Sequence, residues 1–89
     1  MSSTELDRLK SRAIAIRLPM STLGTLAGVD INTLSASFTG RIHCPPDRLR
    51  KIETTLRRVE NLVATVPYAL DLRNASQVER MLRQVAVNP

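Results

Sequence analysis

The sequence predicts an all-α fold, a compact domain of five helices. Three observations lead there. Apolar residues recur at alternating steps of three and four over most of the chain, the spacing that gathers them on one face of a helix. Pro19, Gly28, Gly40, Pro45, Pro46 and Pro67 punctuate those runs. Only Phe38 and Tyr68 are aromatic, so the core must be built of Leu, Ile, Val, Ala and Met, which suits packed helices.

Each element has its own justification. Ser3 or Thr4 can cap a first helix, with Glu5 and Asp7 near its positive end. Leu6, Leu9, Ala13 and Ile16 form its apolar side, and Arg8, Lys10, Arg12 and Arg17 fall elsewhere on the wheel. Pro19 is expected to close this helix, because the residue before a proline resists helical geometry, and to suit the first turn of the next. The second helix, Met20 to Ala27, has Leu23, Leu26 and Ala27 as contacts and is stopped by Gly28, with Val29 as a buried plug. Asp30 is the expected N-cap of a third helix, Ile31 to Thr39, which Gly40 terminates.

Arg41 to Pro46 reads as a loop, and Asp47 is expected to cap a fourth helix. Leu49, Ile52, Leu56, Val59, Val63 and Val66 make the strongest periodic signal in the chain. A seam of under three heptads fits a stripe against the core better than a coiled coil. After Pro67, the segment to Arg73 reads as extended, with Tyr68, Leu70 and Leu72 alternating against polar or small neighbours. Asn74 then caps a last helix from Ala75 to about Ala86, with Val78, Met81, Leu82 and Val85 on one side. Residues 1–66 are the expected core and 67–89 a C-terminal extension. The apolar stripe of that extension serves either as a homodimer contact or as a cover for its own core.

Composition narrows the function. A chain of 89 residues is one domain's worth, burying roughly 60–65% of its unfolded surface, with little spare for a deep active site. Thirteen Lys and Arg against eight Asp and Glu leave a net charge of +5, and eleven of the thirteen are arginines. Such a balance draws a protein towards polyanions, and guanidinium forks match phosphate well. Nucleic acid is the first candidate partner and an anionic membrane surface the second.

Cys44 is the only cysteine, so no internal disulfide forms, and no paired metal-binding spacing exists. His43 beside it lacks a second pair or an orienting group for metal or catalytic work. His43 is expected to touch a phosphate, and Cys44 to pack. Asn74-Ala75-Ser76 matches a glycosylation acceptor, without meaning in an intracellular protein. Neither a signal peptide nor an apolar run long enough to span a membrane is visible. A cytoplasmic non-enzyme is expected, with no cofactor, no metal and no small-molecule ligand.

The segment from Leu23 to Arg41, LGTLAGVDINTLSASFTGR, resembles the phage-repressor and Cro-like helix-turn-helix family. It lines up without a gap, and Gly28-Val29, Leu34-Ser35 and Gly40-Arg41 stand where that family has its turn glycine, its buried third-helix residue and its terminating glycine. The resemblance covers Leu6 to Val66. It departs from the family pattern at Met20, where a Gln commonly touches phosphate, and at Gly24, where the packed small residue is usually Ala. Ser37 replaces an apolar residue, and Phe38 stands where Glu often occurs and could fill the space Ser37 leaves.

The resemblance implies a lambda-repressor-like fold whose third helix reads the major groove of double-stranded DNA. The base-facing candidates are then Ile31, Asn32, Thr33, Ser35 and Ala36. Asn32 leads, because its amide can pair bidentately with adenine. Arg41 and Arg48 are the foremost phosphate partners, with His43 and Arg17 behind them. From Met20 to Gly40 the only charge is Asp30, whereas Arg41 to Arg58 holds six cations and two acids. An uncharged reading helix beside arginines fits contacts that specify next to contacts that position. The expected function is a transcriptional regulator, a repressor of phage or bacterial origin, acting as a homodimer on a near-palindromic site. Competing readings are a phage-type module that binds a protein partner and a non-specific architectural DNA binder.

Overall fold

The computed structural model describes residues 3–66 and 71–87. Among them the chain is helical throughout, with no strand: α1 Ser3–Ala15, α2 Met20–Ala27, α3 Ile31–Phe38, α4 Pro46–Thr65 and α5 Ala75–Val87. The twenty-residue α4 is the spine, packing against α1, α2 and α5, while α3 rests on α2 and α1. A radius of gyration of 12.9 Å is close to the about 12 Å of a folded chain this long.

The helical spacing reappears as one core. Leu6, Leu9 and Ala13 of α1, Leu23 of α2, Leu34 and Phe38 of α3, and Ile52, Leu56, Val59 and Leu62 of α4 are all buried in it. Cys44 joins them from the loop as a packing residue. On α4 the buried stripe turns earlier than the expected seam. Thr55 and Leu62 are inside, whereas Val63 and Val66 are half-buried.

Four expected boundaries are corrected. α3 ends at Phe38, with Thr39 as its C-cap and not its last helical residue. α1 does not run to Pro19. It stops at Ala15, where Arg17 adopts φ 58° and the N–H of Leu18 bonds the Ala13 carbonyl at 2.9 Å. That is a left-handed helix ending made by a non-glycine residue, and it turns Leu18 into the core. α4 begins at Pro46, with Pro45 as a cap that offers no side-chain bond, so Asp47 lies inside the first turn and acts only through the helix dipole. The extended segment expected from Pro67 lies outside the described residues at 67–70. Its described remainder is a turn, with the Asn74 N–H on the Asp71 carbonyl at 3.1 Å.

Asn74 caps α5 as expected, accepting from the Gln77 N–H at 3.1 Å. The capping roles of Ser3 and Thr4, and Val85 on the apolar side of α5, fall on side chains outside the described set. Val78 and Leu82 are buried against α4 and α2 together with Leu72. The stripe on α5 therefore covers its own chain's core and is not free to meet a second copy through those two residues.

Candidate functional site

The α2–α3 connection shows why its sequence is rich in small residues. Gly28 takes φ 72°, and the Val29 N–H returns to the Gly24 carbonyl at 2.8 Å. A Cβ on Gly24 would stand 2.7 Å from the Val29 carbonyl oxygen. An Ala in that place would push the turn away, so the glycine answers this turn's close approach.

α3 is fixed at both ends. The Asp30 carboxylate accepts from the N–H groups of Asn32 at 3.0 Å and Thr33 at 3.4 Å, filling two of the four free donors of a helix start. At the other end Gly40 takes φ 78°, the Arg41 N–H bonds the Ala36 carbonyl at 2.9 Å, and the Thr39 hydroxyl donates to the Ser35 carbonyl at 3.0 Å. Leu34, Ser37 and Phe38 face inward. Ser37 is wholly buried without being orphaned, because its hydroxyl donates to the Thr33 carbonyl at 2.9 Å. Phe38 takes up core volume beside it.

Facing outward are Ile31, Asn32 and Ser35, all exposed, with Thr33 and Ala36 half-buried at the margin. The five base-facing candidates thus share the side of α3 turned away from the core. Their groups are an amide, two hydroxyls and two apolar surfaces, with no charge.

Cations bracket this helix. An open concavity of about 490 Å³ lies between the start of α3, at Asp30 and Thr33, and the start of α4, at Asp47, Arg48 and Lys51. Another, of about 470 Å³, runs from the end of α3 to α1 and is lined by Arg41, Ile42 and His43 with Asp7 opposite. Arg48 is steadied by its Nη1, which donates to the His43 carbonyl at 3.5 Å, linking the two brackets. Lys51 was missed in the sequence. Its signal was the step of three from Arg48, which puts both on one side of α4. Arg17 lines neither concavity. It sits exposed in the α1–α2 link.

Ion pairing divides the molecule. Among the described residues, Arg12–Glu60, Arg57–Glu53, Arg73–Asp71 and Arg83–Glu79 pair, whereas Arg41, Arg48, Arg50 and Lys51 have no carboxylate within 4.0 Å. The Arg12 guanidinium holds Glu60 by two bonds, of 3.0 and 2.5 Å, joining α1 to α4. Those hydrogen bonds push the Glu60 carboxyl below its ordinary pKa and raise that of Arg12 further. Among the described residues no three His, Cys, Asp or Glu side chains gather as a metal site, and no helix is long and apolar enough to cross a membrane.

No protein-family model matches the chain, and no match was found among curated proteins or solved structures.

Proposed function

We propose that the chain is a sequence-specific binder of double-stranded DNA that regulates transcription, as a repressor, with α2 and α3 as a helix-turn-helix and α3 in the major groove. One observation carries this reading. The uncharged outward strip Ile31, Asn32 and Ser35 lies between unpaired cations, Arg41 beside the imidazole of His43 at one end of α3 and Arg48 with Lys51 at the other. A helix about 10–12 Å across fits a major groove about 12 Å wide. In that position Asn32 pairs with an adenine edge, Ser35 and Thr33 donate to bases or phosphates, and Ile31 and Ala36 meet thymine methyls. The bracketing cations hold the two phosphate walls. A reading helix of eight residues spans one half-site, so two copies on a near-palindrome are part of the reading.

The test is selection from random duplexes followed by gel shifts over a salt series. Wild type is expected to bind a selected site with affinity falling steeply as salt rises. Asn32→Ala should lose about ten- to a hundredfold on that site, the measure of one bidentate base contact, and bind random duplex unchanged. Equal binding of the selected site by Asn32→Ala would remove α3 as the reader.

Exposed Ile31 and Ile42, at 44% and 43% of their surface, favour a second reading, a module that holds a protein partner. It predicts one stoichiometric partner and no shift of any duplex even at low salt.

A further inference from the structure

We infer that the outer side of α4 is a second, sequence-independent contact for the sugar-phosphate backbone of DNA flanking the site read by α3, carried by Arg50 and Arg58. This rests on the DNA reading above and extends it to a surface which that reading leaves idle.

α4 turns Ile52, Thr55, Leu56, Val59 and Leu62 into the core. The opposite arc carries Arg50, Lys51, Thr54, Arg57, Arg58 and Asn61, at steps of three and four, and every one is exposed. Of the acids of α4, Glu60 is taken by Arg12, Glu53 pairs with Arg57 and so withdraws that one arginine from the arc, and Asp47 stays in the first turn. Arg50 borders a concavity that Glu5 and Glu53 also line, without pairing to either. Among the described residues neither Arg50 nor Arg58 has a carboxylate within 4.0 Å.

The arc is continuous with the α3 site. Lys51 borders the concavity beside the start of α3 and also a shallow one of about 340 Å³ formed by Arg50, Thr54, Thr55 and the end of α2 at Ala27, which no acid lines. From residue 50 to residue 58 a helix rises about 12 Å, enough for Arg50 and Arg58 to reach two separate phosphates of one strand. A backbone leaving the Arg48–Lys51 bracket therefore meets a run of cations of matching length. Charge complementarity of this kind supplies affinity and salt dependence, and no sequence choice.

The test compares wild type with Arg50→Gln/Arg58→Gln, both solvent-facing and outside the bracket around α3. Each is titrated on the selected site alone and on the same site within a longer duplex flanked by random sequence, from low to moderate salt, after thermal melts confirm equal folding. Wild type is expected to gain about tenfold from the flanks, and the slope of log K against log salt to steepen by about two, at about 0.9 per phosphate. The double variant should lose both gains and keep its affinity for the short site. If it retains the flank gain and the slope, the α4 contact is overturned while the α3 reading stands. If no sequence can be selected but random duplex binds with a slope that the double variant lowers, the α4 contact stands and the α3 reading falls. If wild type shifts no duplex, or binds poly-glutamate and no duplex, both fall.

Discussion

The α2–α3 pair and the frame of α1, α4 and α5 are built on opposite terms. The pair is short, two helices of eight residues each, and is held by backbone devices: a left-handed Gly28, a Gly24 pressed against the turn, and an Asp30 cap. The frame is long, apolar inside, and stitched outside by three ion pairs. Two of those pairs follow the i, i+4 rule on one helix, and Arg12–Glu60 joins two helices. The frame's ion pairs leave Arg48, Arg50, Lys51 and Arg58 of α4 without a carboxylate within 4.0 Å among the described residues. The pair itself carries a single charge, Asp30, and its start lies beside Arg48 and Lys51.

The comparison breaks first at α5. If α5 belongs to the frame, Leu82→Ala should cost about 2–4 kcal/mol and lower the single urea transition of the whole domain. A dispensable tail would leave that transition in place. Next, Gly24→Ala strikes the pair alone. Overpacking against the Val29 carbonyl outweighs the helix gain of Ala by about 1–2 kcal/mol, and DNA binding should weaken with it. An unchanged midpoint would show that the turn yields freely.

A smaller effect belongs to the frame's cross-helix pair. Glu60→Gln should cost about 1 kcal/mol at neutral pH, at the upper end for a partly exposed bidentate pair. Because folding lowers the Glu60 pKa, its contribution is complete above the ordinary glutamate range and disappears as pH falls through the lowered folded value. Urea midpoints of wild type and Glu60→Gln should therefore converge in acid. The smallest change sits at the joint between the two regions. Arg17→Gly relieves a left-handed arginine, worth about 1–2 kcal/mol, against the added freedom of an unfolded glycine, leaving a gain of about 0.5 kcal/mol. DNA affinity should not move, because Arg17 lines neither bracket.

Where local chemistry decided an element, it was legible. α2 runs from Met20 to Ala27 as its proline and glycine bounds imply, and Asp30 and Asn74 cap the helices that follow them. Where tertiary approach decided, it was not. Nothing local marks Arg17 as a left-handed helix ending, since the residue pays for that geometry through Leu18 reaching the core. Leu62 is buried where the periodic reading placed Val66, which is half-buried. In the candidate site, the residues on the outward side of α3 are those that the family resemblance implied. Lys51 emerged only when the start of α4 folded beside the start of α3.

The Asp30 cap has a consequence at the level of nucleotide choice. Both of its bonds to α3 use the same oxygen, Oδ2, and Oδ1 has no partner among the described residues. On the proposed reading a lone anionic acceptor then stands at the leading tip of the helix, committed in place by its twin. It welcomes the amino group of a cytosine and repels the paired acceptors of a guanine. The carboxylate that starts the helix would, through its other oxygen, also act as a veto, disfavouring wrong registers.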